Sequence, residues 1–236
     1  MIVSHKHRFI FIKTHKTAGT SIEVALSRIA GDDAVVTPIA PPEPLHEPRN
    51  YSGSWPQTLR WVRANPRGSG HALLQLARDA GVNRHCDFYN HMPAWLIRAQ
   101  IGHDVWEEYF KFCFERNPWD KVASLYSWLT RDCRDSPPFE EWLFSEPGVV
   151  SDWPLYSLDR ECAVDAMGQY EKLNADLKSF LERVAAPIDG VVLPRAKGGV
   201  RRDGRLYSPS AVEYVRRVFH HEVEMFGYSC PPELLL

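Results

Sequence analysis

Two short apolar runs, each followed by a polar turn and then a helical pattern, organise the hydrophobic positions of this chain. The first run covers residues 9–12 and precedes a polar turn at 13–21. Apolar side chains then recur at helical spacing, at Ile22, Val24, Ala25, Leu26 and Ile29. The second run covers residues 111–115 and leads into a helix beginning near Pro118, which Asn117 can cap. Each segment therefore predicts a strand, a tight turn and a helix.

The remaining pattern predicts further helices and one irregular region. Five prolines between residues 31 and 54 indicate an irregular surface excursion. Short helices are predicted at 56–64, 71–80, 94–100, 104–110 and 138–145, and a closing amphipathic helix at 207–226, with Gly227 as its C-cap. We interpret residues 31–86 as a variable insert on the acceptor side of a cleft.

The turn after the first strand has the composition of an anion site. A helix N-terminus and the turn before it present backbone N–H groups to one point in space. Lys16 adds a positive charge, Thr17, Thr20 and Ser21 add hydroxyl groups, and Gly19 permits close backbone approach. We expect a phosphate-like ligand here. The alternative is an ordinary helix start that happens to be rich in Lys and Thr.

The order of residues in this turn differs from that of a Walker A loop. In G-x-x-x-x-G-K-[ST] the lysine follows the glycines, whereas in K-T-A-G-T-S at residues 16–21 it comes first. This arrangement resembles the 5′-phosphosulfate loop of sulfotransferases that use 3′-phosphoadenosine 5′-phosphosulfate (PAPS). Many such enzymes have Pro before the lysine and two glycines after it, where this chain has His15 and Ala18.

The segment after the second strand, R-N-P-W-D-K-x-x-S-x-Y at residues 116–126, is similar to the 3′-phosphate motif of the same enzymes. The likeness is greatest to the carbohydrate-type branch, sulfotransferase family 2. The resemblance assigns the grip on the 3′-phosphate to Arg116 and Ser124, which suits a guanidinium and a hydroxyl. The alternative for Arg116 is a structural ion pair with Asp120 or Glu115.

Further site residues follow from this resemblance alone. His91, in N-H-M-P-A at residues 90–94, stands where such enzymes carry a catalytic histidine and is the candidate general base; His15, His71 and His103 compete for that role. A basic, glycine-containing run near residues 194–205 stands where relatives place a loop over the nucleotide. Its Lys197, Arg201 and Arg202 are candidate phosphate contacts, with a solvated charge run as the alternative.

The resemblance implies one α/β domain over residues 1–236, with a three-layer, P-loop-like fold whose central, mostly parallel sheet is flanked by helices. It implies transfer of a sulfuryl group from PAPS to an acceptor hydroxyl, on a carbohydrate or another small molecule, without a metal. Residues 16–21, including Thr17, Ala18 and Gly19, would hold the 5′-phosphosulfate, with Lys16 also catalytic. Two alternatives remain: a P-loop-like nucleotide kinase or ATPase with Glu115 as its magnesium-binding acid, and a non-catalytic module that recognises sulfated or phosphorylated groups.

Composition limits the remaining possibilities. The chain has 236 residues, of which 44% are hydrophobic, and a net charge of −2, which suits one globular domain and does not indicate a nucleic-acid partner. We expect no leader peptide and no run near the roughly 20 apolar residues of a membrane span. Five scattered cysteines indicate neither a disulfide framework nor a zinc site. These features predict a soluble cytoplasmic protein.

Overall fold

The computed structural model describes residues 1–52, 87–145, 149, 151–188, 193 and 205–236. The helices predicted at 56–64 and 71–80 lie outside the described residues. So do His71 and the candidate phosphate contacts Lys197, Arg201 and Arg202.

A five-stranded sheet lies at the centre of the described chain. The strands in sequence order are β1 (Ile2–Ser4), β2 (Phe9–Phe11), β3 (Val35–Val36), β4 (Phe110–Glu115), β5 (Ser157–Leu158), β6 (Glu161–Cys162) and β7 (Ala166–Gln169). The central sheet has the order β3-β1-β2-β4-β7, and β5 pairs separately with β6. Pairs β2-β4 and β4-β7 are parallel, whereas β1 is antiparallel to both of its neighbours. Four of the five central strands therefore share one direction, which confirms a mostly parallel sheet.

Helices cover both faces of this sheet. They are α1 (Gly19–Ser27), α2 (Ala94–Ile101), α3 (His103–Glu108), α4 (Pro118–Thr130), α5 (Phe139–Ser145), α6 (Trp153–Tyr156), α7 (Leu173–Arg183), α8 (Pro209–Val218) and α9 (His220–Phe226), with 3₁₀ turns at Tyr170–Lys172 and Pro232–Leu234. None of the helices in the described ranges combines the length and apolarity needed to cross a membrane.

The apolar run of β2 divides between two cores. Phe9 and Phe11 pack with residues of α1 and α7, whereas Ile10 and Ile12 pack with residues of α2 and α3. Both faces are buried, and this explains why the run is continuously apolar instead of alternating with polar residues. A third core joins α4, α5 and α8.

The register places the ends of β2 and β4 side by side. Phe11 pairs with Phe112, and the Ile12 N–H donates to the Phe112 carbonyl at 2.9 Å. The turn after β2 and the residue after β4 therefore begin at the same sheet edge, where ligands of α/β sheets are held.

Two predictions near the start of the chain are wrong. The strand predicted from residues 9–12 is not the first of the chain, because Ile2–Ser4 already forms β1. The segment predicted as an irregular excursion contains β3 and the fully buried Thr37. Both strands are too short to show a period in sequence, and pairing within the sheet stabilises them.

The helix predicted at 207–226 is two helices. Phe219, with φ −106° and ψ 32°, interrupts it between α8 and α9. Apolar positions continue at helical spacing across the break, so the pattern did not reveal it. The predicted caps are confirmed: the Asn117 side chain accepts from the Trp119 N–H at 3.2 Å, and Gly227 ends α9 with φ +65°.

Candidate functional site

The predicted phosphate loop has a strained backbone. Lys16 and Ala18 lie in the left-handed region, with φ of 59° and 60°, and so does His91 beside the loop, with φ of 57°. A left-handed conformation costs an L-residue about 1–2 kcal/mol. Such strain persists where surrounding contacts enforce it and is concentrated at functional sites. Three residues selected from sequence for their chemistry thus share an uncommon conformation.

Hydroxyl groups hold the base of the loop together. The Thr14 hydroxyl donates to the Phe114 carbonyl of β4. The Thr17 hydroxyl lies 2.9 Å from that of Thr14 and donates to the Thr14 carbonyl at 3.2 Å. Because Thr17 is fully buried, it supports the loop from within.

The N-terminus of α1 has no side-chain cap among the described residues. Ala18 is its N-cap residue, and no side-chain hydrogen bond caps the helix. The first N–H groups of a helix have no acceptor within the helix, so those at Gly19, Thr20 and Ser21 are donors of the kind that bind anions.

Gly19 makes room for a buried lysine that the sequence analysis did not select. A Cβ atom at position 19 would lie 2.7 Å from Cγ of Lys13. Lys13 forms a buried ion pair with Glu23 of α1, and Glu23 also pairs with the Met1 amine. Burial alone would raise the pKa of Glu23, but these two cations outweigh it and lower that pKa. Gly19 therefore serves the loop's internal packing.

Arg116 joins the second motif to the first. Its Nη1 donates to the Lys16 carbonyl at 3.3 Å, its Nη2 lies 3.5 Å from a carboxylate oxygen of Asp120, and its guanidinium lies 4.3 Å from the ring centroid of Tyr170. The buried Nε atom has no hydrogen-bond partner among the described residues. The alternative ion pair with Asp120 thus exists alongside the contact with the loop.

Ser124 lies on α4 between two residues that contact the predicted site. Asp120 and Trp128 are one turn before and one turn after it, on the same helix face. Asp120 contacts Arg116, and the Lys16 ammonium lies 5.5 Å from the Trp128 ring centroid. Arg116 and Lys16 therefore contact α4 one turn before and one turn after Ser124.

Two histidines stack beside the loop. The rings of His15 and His91 are 9° from parallel, with centroids 3.8 Å apart. His91 Nδ1 lies 3.0 Å from the Lys13 carbonyl. A carbonyl only accepts, so Nδ1 carries the proton and Nε2 is the basic nitrogen. Burial first, and then His15 and Lys13, lower the pKa of His91 to about 3, so its ring is neutral at physiological pH.

Asp152 holds both the backbone and the ring of His15. Its Oδ1 lies 2.6 Å from His15 Nδ1, and its Oδ2 accepts from the His15 backbone N–H at 2.7 Å. Oδ2 also lies 2.6 Å from the Lys121 ammonium, which is 2.8 Å from Glu115. Although Asp152 precedes α6, its side chain does not cap that helix.

The three ionisable groups of this buried network, Asp152, Lys121 and Glu115, differ in their protonation. Burial would raise the pKa of Asp152, but Lys121 and the hydrogen bond from His15 outweigh it and hold that pKa well below its usual range. Burial raises the pKa of Glu115 to about 8, against the smaller opposing effect of Lys121. Burial would lower the pKa of Lys121, but Asp152 and then Glu115 outweigh it and raise that pKa, so Lys121 stays protonated. At pH 7, therefore, Asp152 and Lys121 are charged and Glu115 is neutral.

Sequence reasoning did not select Lys13, Lys121 or Asp152 as site residues. Asp152 meets His15 across 137 positions of the chain, and no spacing rule connects them. A signal was available only for Lys121, which shares a helix face with Ser124. His103 begins α3 and lies 3.3 Å from Glu107, apart from the stacked pair. No group of three or more His, Cys, Asp or Glu in the described ranges is placed to hold a metal ion.

Comparisons with known proteins give one informative relative. No family model matches the chain, and no solved structure matches it. An uncharacterized protein of Archaeoglobus fulgidus is 35% identical to it over 107 residues, which is 41% of this chain and 84% of the relative. The chain therefore belongs to the same family as this uncharacterized archaeal protein.

Proposed function

We propose that the protein is a PAPS-dependent sulfotransferase with a P-loop-like fold, and that it transfers a sulfuryl group to an acceptor hydroxyl of a carbohydrate or another small molecule. The observation that carries this proposal is the contact between Arg116 and the Lys16 carbonyl. This contact joins the turn after β2 to the segment after β4. The residues of these two segments suit the 5′-group and the 3′-phosphate of one nucleotide, respectively. PAPS carries such groups at its 5′ and 3′ positions.

The donors around the loop suit the 5′-phosphosulfate. The free N–H groups of α1 and the Lys16 ammonium supply positive potential at the sheet edge. Arg116, directly after β4, and Ser124, within α4, suit the 3′-phosphate, since a guanidinium forms a charge-assisted fork with phosphate and a hydroxyl donates to it. The Nε atom of Arg116, which has no hydrogen-bond partner among the described residues, leaves one buried donor for such a ligand.

Sulfuryl transfer then needs a basic group and a stabilised leaving oxygen. The acceptor oxygen attacks sulfur, its proton passes to a histidine nitrogen, and the sulfur–oxygen bond to the 5′-phosphate breaks. Adenosine 3′,5′-bisphosphate leaves with the bonding electron pair. Lys16 would stabilise the charge on the bridging oxygen. His91, the predicted base, and His15 each keep Nδ1 engaged, so in both rings Nε2 is the nitrogen that carries the lone pair.

The kinase alternative is less well supported. A kinase would need Glu115 to hold a hydrated magnesium ion, but this side chain is fully buried and lies 2.8 Å from Lys121. The Lys121 ammonium therefore already occupies the position beside Glu115 that a magnesium ion would need.

Calorimetry tests the nucleotide site. We expect the protein to bind adenosine 3′,5′-bisphosphate without metal and more tightly than ATP with magnesium. Lys16→Ala and Arg116→Ala should each weaken this binding at least tenfold. Arg216→Ala is the matched control, because Arg216 is an exposed arginine of α8 paired with Glu213. Tighter binding of ATP with magnesium would overturn the proposal in favour of the kinase.

Turnover tests the reaction. The protein is incubated with PAPS and a panel of mono- and disaccharides, phenols and long-chain alcohols, and products are detected by mass spectrometry. Lys16→Ala should lower the transfer rate about 100-fold, as loss of a single transition-state donor does. Binding of adenosine 3′,5′-bisphosphate without product from any acceptor class would favour the non-catalytic module.

A further inference from the structure

Resting on the proposed sulfuryl transfer, we propose that His15 is the general base of the reaction, that Asp152 positions it, and that His91 is the neutral surface against which it stacks. This moves the proton acceptor from the predicted His91 to the residue before the loop lysine.

The first argument is the His15–Asp152 geometry. Asp152 holds both the backbone N–H and the ring Nδ1 of His15, at 2.7 and 2.6 Å. A carboxylate only accepts, so Nδ1 carries the ring proton and Nε2 is basic. A buried carboxylate in this position fixes the tautomer and stabilises the imidazolium that forms during catalysis.

The second argument is access. The His15 side chain is 51% exposed, whereas that of Asp152 is 3% exposed. The His15 Nε2 atom makes no hydrogen bond to the described residues and can meet an acceptor hydroxyl from solvent. His15 also precedes Lys16 directly, so the proton acceptor and the sulfuryl-stabilising ammonium belong to adjacent residues.

The third argument concerns the surroundings of His91. Its Nδ1 binds the Lys13 carbonyl and one ring face is covered by His15. Burial, together with His15 and Lys13, disfavours a charged ring here, so His91 would gain little from accepting a proton. These contacts support a different role for His91: its neutral aromatic ring packs against His15 and holds it in place.

The charge that His15 gains in this step is balanced within the site. Asp152 contacts it directly, His91 stacks on it, and Lys13 lies nearby on the same turn. Behind Asp152 lie Lys121 of α4 and Glu115 of β4. When the acceptor proton reaches His15 Nε2, the ion pair with Asp152 offsets the new charge, and the proton later leaves to solvent.

Two matched substitutions test this assignment. His15→Asn and His91→Asn each keep an amide N–H near the former Nδ1–H and remove the basic Nε2. With PAPS and the panel acceptor that gives most product, we expect His15→Asn to lower the transfer rate at least 100-fold. His91→Asn should lower it less than tenfold, and both variants should bind adenosine 3′,5′-bisphosphate within threefold of wild type.

Asp152→Asn supplies a readout that a purely structural role would not move. Removing the carboxylate should shift the acid limb of the pH–rate profile to lower pH, because the imidazolium loses its stabilising charge. An unshifted acid limb would contradict the positioning role of Asp152.

The outcomes separate this inference from the proposed function. Wild-type turnover with a large loss in His91→Asn and less than threefold change in His15→Asn would overturn the inference alone. Equal large losses in both variants would overturn the division of roles. A wild-type protein without adenosine 3′,5′-bisphosphate binding or transfer would overturn the proposed function, and the inference with it.

Discussion

Arg116 donates a hydrogen bond from Nη1 to the carbonyl oxygen of Lys16, at 3.3 Å, across 100 positions of the chain. The bond exists because β2 and β4 are parallel neighbours, so the turn after one and the first residue after the other begin at one sheet edge. The two sequence motifs are thereby in direct contact in the fold.

Replacing Arg116 by lysine should weaken nucleotide binding although the charge is kept. A lysine cannot reproduce the planar fork that contacts the Lys16 carbonyl and Asp120, or its stacking on Tyr170. We expect about a tenfold loss of affinity for adenosine 3′,5′-bisphosphate in calorimetry, which corresponds to about 1.4 kcal/mol. Arg216→Lys is the control and should bind as wild type. Unchanged affinity in Arg116→Lys would indicate that Arg116 does not bind phosphate through its fork.

Gly19→Ala should destabilise the fold. The added methyl group would lie 2.7 Å from Lys13 Cγ and would displace the buried lysine from Glu23. Overpacking of this kind costs about 1–3 kcal/mol, and we expect a loss near the middle of that range in urea denaturation. Thr20→Ala, at the next and less buried position, should change the free energy of unfolding by less than about 0.5 kcal/mol. A neutral Gly19→Ala would show that Lys13 can leave its position freely.

Ala18→Gly should stabilise the protein. Ala18 has φ of 60°, a conformation that glycine adopts without steric cost. We expect the free energy of unfolding to rise by about 1 kcal/mol. Ala123→Gly, within α4, should lower it by about 1 kcal/mol because glycine is unfavourable inside a helix. If Ala18→Gly lowers stability instead, the left-handed conformation at this position is absent in solution.

Glu115 should make stability fall with rising pH. Its pKa is raised from 4.5 to about 8 in the folded protein. Between these values the native state binds one more proton than the unfolded state, so the free energy of unfolding falls as pH rises. Glu115→Gln, which cannot titrate, lacks this contribution.

The advantage of wild type over Glu115→Gln should therefore shrink from pH 5 to pH 8 in urea denaturation series. His91, with its pKa lowered to about 3, contributes the opposite slope between pH 3 and 6.5. It does so in both proteins and cancels in the difference. A constant difference across this range would mean that Glu115 is ionised beside Lys121.

The strand–turn–helix units at β2 and β4 were predictable because local pattern determines them. Apolar runs buried on both sides, a capping Asn117 and Pro118 at the first helical turn act within a few residues of one another. β1 and β3 were not predictable in this way. Neither strand leads through a turn directly into a helix, which is the pattern that marks β2 and β4, and pairing within the sheet stabilises both.

Local sequence pattern predicts the strand–turn–helix units, and the resemblance to sulfotransferases predicts the mostly parallel sheet that carries them. Tertiary structure decided which lysine is buried, since Lys13 pairs with Glu23 whereas Lys16 lies over Trp128. It also decided which partner each histidine has, since Asp152 reaches His15 from a distant part of the chain. The physical reason is range: capping and periodicity act along the chain, whereas burial and ion pairing depend on which segments the fold brings into contact.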